Sequence, residues 1–409
     1  MSDVIDFYER PSLPVSKLAS VTNMLAWWLP AQAGNMGDEV VAGWEMAEWK
    51  AAAWIVYWQN ALPWLVKRVR QSGVAVPASV WEQLTELDVG SRERTRRMLD
   101  GCVELLGAFR AHEITAVPFK GAVLAACYYP DPLERPLADL DLLIHPKDIP
   151  QAIQIVRDLG YRFYSRSAED EVYLRGERKR NVWAPDNVHP IELHYALREE
   201  YAGIGYEVAD VMWEMSEERP FWNSVSALVP RLPALLLHVC AHATSDWLIQ
   251  RGRLMHIGDI SLLVGQMTAT EWEELVTTVS PQEARFVYPA LAFATRYARL
   301  DLPEAVLAYF RTHCPPSLLH WIEQTELADT SESNPADRSG LGLAIAQRLS
   351  RNRLEMARFW LRSFFPRRWN LSKRYPRLTA TPLWPLGYVL INLDRAIHIW
   401  RKLGTRHES

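Results

Sequence analysis

The sequence predicts an α+β protein in which a small mixed β-sheet is set between N-terminal and C-terminal helical regions. Three observations carry that reading. Apolar residues recur near the helical period through the first hundred residues and again beyond residue 205, whereas short apolar runs of strand length, separated by turn signals, concentrate between residues 116 and 194. No Gly-rich GxGxxG or Walker-type loop occurs, so the sheet is not a dinucleotide-binding or P-loop repeat. A chain of 409 residues is long enough for two or three domains whose cores need neither disulfides nor metal staples.

The elements follow in order. Trp44, Trp54, Trp58 and Leu62 recur near the helical period, and the run 51–58 (AAAWIVYW) is apolar nearly all round, which suits a helix buried between others. Large aromatics at such spacing are core residues far more often than stacking platforms for bases or sugars, so the 18 tryptophans are assigned mainly to packing. Leu99, Cys102, Val103, Leu106 and Phe109 give a further helix that leads into a strand at 116–119. A helix over 121–128, a Pro-rich loop over 129–137 and a strand over 139–144 come next. The following helix has Asp148 as N-cap, Pro150 in its first turn and Gly160 as its stop. Three strands are expected near 161–164, 170–174 and 181–194, with turns at Gly176 and at Pro185-Asp186-Asn187. Beyond residue 205 the pattern is helical, with Leu235, Leu236, Val239 and His242 on one face and Ile257, Ile260, Leu263 and Val264 on another. Residues 331–340 (SESNPADRSG) read as a linker. The domains expected are therefore 1–98 (helical), 99–204 (α/β core), 205–330 (helical) and 341–409 (a basic helical segment).

Composition narrows the function. Forty-five Lys and Arg against 49 Asp and Glu leave a formal charge of −4, which excludes a protein coated in basic residues for nucleic acid. A hydrophobic content of 49% with 23% charged residues excludes wholesale disorder. No apolar run approaches the ~18–20 residues that cross a bilayer, and the opening residues lack a signal-peptide design, so a cytoplasmic protein is expected. Cys102, Cys127, Cys240 and Cys314 are scattered and read as ordinary buried thiols. The charge is uneven. Between Arg348 and Arg377 ten basic residues face one acid, Glu355, giving +9 there and −13 elsewhere. In that tail Phe359, Trp360, Phe364, Phe365 and Trp369 interleave with Arg358, Arg362, Arg367 and Arg368. Packing on the acidic body is the leading reading, followed by a face for a polyanionic acceptor and by an amphipathic helix on anionic lipid.

The chemistry concentrates in residues 119–144, FKGAVLAACYYPDPLERPLADLDLLI. Asp139 and Asp141 are two apart on an expected strand, so both carboxylates leave one face while Leu140 and Leu142 enter the core. Such a pair is repulsive unless a cation sits between, and an oxygen-ligand Mg²⁺ or Mn²⁺ site resolves that cost. In 189–194 (HPIELH) Glu192 and His194 share a strand face. A sheet that sets this strand beside Asp139 and Asp141 collects three carboxylates, the arrangement for divalent cations clamping a phosphoryl transfer. Lys120-Gly121 stands at a strand-to-helix junction suited to anions, Gly121 admitting a phosphate to the backbone and Arg135 offering a bidentate contact. His238 and His242 share a helix face, with His256 and Asp259 near, but structural hydrogen bonding or substrate contact is favoured over zinc because no HExxH motif is present.

Lys120-Gly121, Tyr129, Arg135, Asp139-Leu140-Asp141-Leu142-Leu143 and Ile191-Glu192-Leu193-His194 resemble the uncharacterised bacterial nucleotidyltransferases of the DNA polymerase β-like superfamily. The resemblance extends weakly to Pro63-Trp64-Leu65, Leu237-His238, His242, Arg253-Leu254 and Asp259, over roughly residues 40–300. It implies a nucleotidyltransferase core, two Mg²⁺ ions, an NTP donor and pyrophosphate release. On it, Asp139, Asp141 and Glu192 are the catalytic metal ligands, and Lys120, Gly121, Arg135 and His194 contact the nucleotide. One departure stands out: Gly121-Ala122 replaces the superfamily's usual Gly-Ser, whose hydroxyl bonds a phosphate. Transfer of a terminal phosphoryl group, and a catalytically silent binding scaffold, remain as alternatives. The acceptor is unspecified; a peptide or small molecule is favoured over RNA.

Overall fold

A computed structural model describes residues 5–30, 37–201, 204–331, 341–366 and 368–394. The expected linker residues 332–340, Arg367 and the side chain of Trp369 lie outside the described residues. The chain divides into two compact units, Met1–Glu199 with Tyr206–Ser339, and Glu200–Gly205 with Gly340–Ser409.

The first unit opens with α1 (Val15–Trp28), α2 (Asp38–Ala42), α3 (Met46–Trp58), α4 (Leu62–Ser72) and α5 (Ala78–Ala111). The all-round apolar run lies in α3, where Ala51, Ala52, Ala53, Ile55, Val56 and Tyr57 are buried. The pattern from Leu99 to Phe109 is the last third of α5, which runs unbroken for 34 residues through position 98. Then come β1 (Ala116–Phe119), a short α6 (Gly121–Val123) that widens into a π-turn over Leu124–Tyr128, β2 (Leu140–Ile144), α7 (Ile149–Asp158), β3 (Arg162–Arg166), β4 (Asp170–Arg175) and β5 (His189–His194). Gly160 stops α7 with φ +85°, while Asp148 holds the N-cap position without a side-chain capping bond.

The five strands form one sheet in the order β1-β2-β5-β4-β3, in which β2 and β5 run parallel and the other neighbours antiparallel. Every residue of β1 and β2 is buried, as continuous apolar strands covered on both faces must be. Two expectations are corrected. The strand expected over 181–194 begins only at His189, because the Asn187 amide satisfies the backbone that a ladder would otherwise use, donating to the Asn181 and Val182 carbonyls while its oxygen accepts from Lys179 and Val188 N–H. The region beyond 205 is not helical at first: β6 (Arg198–Tyr201) and β7 (Ile204–Glu207) pair, α8 (Ala209–Glu214) follows, and β8 (Ser216–Trp222) and β9 (Val225–Pro230) form a hairpin. Its turn residues Asn223 and Ser224 both have positive φ, the primed-turn geometry that matches strand twist.

Helices then return as expected, in α9 (Leu232–Leu248), α10 (Leu254–Val264), α11 (Ala269–Thr278), α12 (Ala284–Ala298), α13 (Glu304–Thr312) and α14 (Pro316–Gln324). Helices α9, α10 and α12 pack on one another, and α9 reaches the sheet where His238 meets Phe119 of β1 edge-on at 5.1 Å. The second unit contains α15 (Leu341–Leu349), α16 (Arg353–Phe364), α17 (Arg368–Arg374) and α18 (Pro376–Thr379), and residues 386–394 are helical. No helix among the described residues is long and apolar enough to cross a membrane.

Candidate active site

Strand β2 is apolar except for Asp141, and its parallel pairing with β5 puts Asp141 in register with Glu192 while Phe119 of β1 flanks it on the other side. His194 leaves β5 on the same face as Glu192. Ligand atoms of Asp141, Glu192 and His194 consequently lie within 4.8 Å of one another. Asp139 is the last loop residue before β2, half-buried at the site's mouth, and is not one of those three converging groups. Burial, then repulsion from Asp141 and Glu192, pushes its carboxyl up to about 6 against the opposing pull of Lys120 and Arg253.

Lys120 links β1 to α6 with φ +50° and ψ −128°, a conformation that L side chains rarely adopt and that concentrates at functional sites. Its ammonium donates to Asp141 Oδ1 at 2.8 Å, and His194 Nε2 donates to the same oxygen at 3.0 Å while standing 3.4 Å from Glu192 Oε2. Asp141 Oδ2 has no hydrogen bond among the described residues. The charges reinforce one another. Burial opposes ionisation of Asp141, yet Lys120 and His194 hold its carboxyl well below the usual range. Burial likewise opposes the His194 imidazolium, but its bonds to Asp141 and Glu192 raise its pKa to about 9. Lys120 is held above its ordinary value by Asp141 and Glu192 in spite of burial.

Arg135 and Gly121 are placed differently from the phosphate-binding expectation. The Arg135 guanidinium is buried, donates to Asp259 Oδ2 at 2.9 Å and to the Pro136 carbonyl at 2.9 Å, and so ties the loop before β2 to α10. Tyr129 donates to the other Asp259 oxygen at 2.7 Å and lies parallel to Trp64 of α4, which in turn fills the space above Gly258, where a Cβ would stand 2.0 Å from the indole. A Cβ at Gly121 would come within 2.6 Å of Arg135 Nη1. Gly121 therefore makes room for the Arg135 strut. A cavity of about 520 Å³ adjoins this strut, lined among others by Trp64, Lys67, Tyr128, Tyr129 and Gly258.

Arg94, which the sequence reading did not single out, positions the carboxylates. Almost fully buried on α5, it donates to the carbonyls of Leu137 and Ala138 just before Asp139, and to those of Asn187 and Val188 just before β5. One guanidinium thus clamps the entrances of both carboxylate-bearing strands. The only signal in the sequence is an arginine on the face that Ser91, Thr95 and Met98 bury.

His238 and His242 stack on α9 with ring centroids 6.2 Å apart. His242, Asp246 and His256, rather than His238, form a second group of possible ligand atoms within 4.8 Å. His242 donates from Nδ1 to Glu199 at 3.2 Å, and His256 Nδ1 accepts the Arg253 N–H, which leaves the His256 ring proton on Nε2, 3.5 Å from Asp246 Oδ2. That tautomer turns the His256 N–H toward the Asp246 carboxylate, a polar row that needs no metal.

A mixed sheet that presents carboxylates from adjacent parallel strands, between helical flanks, is the core of a nucleotidyltransferase. The chain belongs to a family of uncharacterised nucleotidyltransferases, whose model matches residues 45–299, from α3 to the end of α12. No match is found among curated proteins.

Proposed function

We propose that the protein moves a nucleoside monophosphate from an NTP to a hydroxyl, phosphate or amine acceptor, in the presence of Mg²⁺ or Mn²⁺. The new bond joins the acceptor to the α-phosphorus, the bond to the β-phosphate oxygen breaks, and pyrophosphate leaves. One observation carries the reading: Asp141 and Glu192 are register partners in the sheet, with Asp139 at its mouth. Three neighbouring carboxylates, one of them raised to about 6 by burial and then by repulsion from the other two, suit a hard divalent cation. Asp139, Asp141 and Glu192 would hold that ion, which when bound neutralises phosphate oxygens. Glu192, whose side chain at 28% is more exposed than those of Asp141 and His194, takes the acceptor's proton. Lys120 offers its charge to the phosphates, and His194 fixes the Asp141 carboxylate. Arg135 acts through the loop that delivers Asp139. A peptide or small-molecule acceptor fits the −4 net charge better than RNA does, and four free thiols suit the cytoplasm.

A second reading has one observation behind it. The Lys120 ammonium on Asp141 puts an internal cation in the carboxylate cluster, which is how a silent scaffold would stabilise it. The test is release of pyrophosphate and transfer of label from α-labelled NTPs, incubated with cell extract and Mg²⁺, by wild type and Asp141→Asn. Label transfer by wild type alone supports the enzyme. Equal transfer by both refutes the site, and absence of Mn²⁺ binding by the wild type together with absence of transfer assigns the scaffold.

A further inference from the structure

The described residues of the second unit carry a concentration of exposed apolar side chains. Ten of the eighteen large hydrophobic residues exposed among the described residues fall between Leu354 and Leu393. On α16, Leu354, Leu361, Phe364 and Phe365 recur at helical spacing on one side, with Trp360 at its margin, while Phe359 on the opposite side is buried. Over 386–394, Leu386, Val389, Leu390 and Leu393 repeat the pattern, and Ile391 is the buried residue. The two faces belong together: the Asn392 amide donates to the Phe364 carbonyl at 2.9 Å, and Phe365 meets Tyr388 at 5.4 Å. Exposed Arg353, Arg358 and Arg362 rim the α16 face, and α18 adds exposed Arg377, while Arg374 of α17 is paired with Asp394 at 2.9 Å.

Aromatic and aliphatic side chains on one face with arginines at its border are the composition of a helix that lies in a bilayer interface, its apolar side among acyl chains and its cations among headgroups. The aliphatic share decides against nucleic acid. Leu354, Leu361, Leu386, Val389, Leu390 and Leu393 have no π-face on which a base can stack, and single-strand binding needs such platforms. We propose that this unit docks the protein on the surface of an anionic membrane, with the faces of α16 and of 386–394 inserted and the arginines on lipid phosphates. The attachment is peripheral and weakens as salt rises.

Co-sedimentation of the full chain with vesicles tests this, comparing phosphatidylcholine alone with phosphatidylcholine plus phosphatidylglycerol. Binding is expected to the mixed vesicles and not to the neutral ones. Neutralising two arginines in Arg358→Gln/Arg362→Gln should weaken it about 30-fold, at about 1 kcal/mol per basic residue near an anionic surface. Leu361→Asp/Leu390→Asp should abolish it while leaving the thermal melt unchanged, since both side chains are exposed in the folded protein. Equal binding to both vesicle types, or to neither, overturns the proposal. So does a concentration-dependent dimer that Leu361→Asp/Leu390→Asp disperses without any vesicle binding, which gives the face to a second copy. Single-stranded RNA binding that the same variant removes, with vesicles ignored, gives it to nucleic acid.

Discussion

Asp139→Asn should stabilise the metal-free protein while abolishing transfer, and the stabilisation should depend on pH in a particular way. The carboxyl is raised from an ordinary 3.8 to about 6 by burial and by Asp141 and Glu192. An acid whose folded pKa is raised binds its proton more tightly when folded, so it favours the fold when protonated and costs stability once ionised. The cost is absent below 3.8, grows as pH rises to about 6, and is constant above; it amounts to about 3 kcal/mol at pH 7. Asparagine keeps the shape and removes the charge. Urea unfolding without divalent ions should therefore show the variant more stable by up to about 3 kcal/mol at pH 7, by less at pH 5 and by only about 0.5 kcal/mol near pH 4. Saturating Mg²⁺ should narrow the difference by stabilising the wild type. A variant that is less stable at pH 7, or whose advantage does not change with pH, would show that burial and the neighbouring carboxylates do not hold the Asp139 carboxyl up.

Mn²⁺ affinity, followed by electron paramagnetic resonance, should fall as pH drops through about 6, since Asp139 must lose its proton to bind; a flat profile between pH 5 and 7 counts against Asp139 as a ligand. Asp259→Ala strands the Arg135 guanidinium in the interior and should cost about 3–5 kcal/mol in urea unfolding, while Arg135→Met/Asp259→Leu should cost less. A loss below about 1 kcal/mol from Asp259→Ala removes the strut from the argument. Gly121→Ala forces a Cβ to within 2.6 Å of Arg135 Nη1 and should lower stability by about 1–3 kcal/mol; an unchanged melting temperature contradicts the close packing.

The strands that carry the carboxylates could be read from the sequence because their signals are local. Residues 116–119 and 140–144 are short apolar runs, and the single Asp within the second is conspicuous by composition alone. The alternation in 189–194 put Glu192 and His194 on one face, and the sheet keeps them there. Period two over-reached by one residue at Asp139, which the strand does not include. Arg135 stands four residues before Asp139 in the chain, and proximity suggested a shared ligand. Its partner is Asp259, 124 residues away, and no local pattern encodes that distance. The β8–β9 hairpin was missed for a related reason: Glu217, Glu218 and Arg219 dilute the alternation of β8, and its turn is Asn-Ser rather than the stronger Asn-Gly.

The charge balance at the site explains how such a cluster survives folding without a metal. Asp141 has two further carboxylates beside it, Asp139 and Glu192, and two cations, the Lys120 ammonium and the His194 imidazolium, meet on its Oδ1. With His194 at about 9 and Asp139 at about 6, the cluster near neutral pH carries about one net negative charge, small enough for the sheet to close over it. Lys120 supplies one of those cations from the turn after β1, its ammonium set on Asp141 Oδ1 at 2.8 Å. Its backbone is held at φ +50°, a region that L side chains rarely adopt, so the strain in that turn and the charge it supplies fall on one residue.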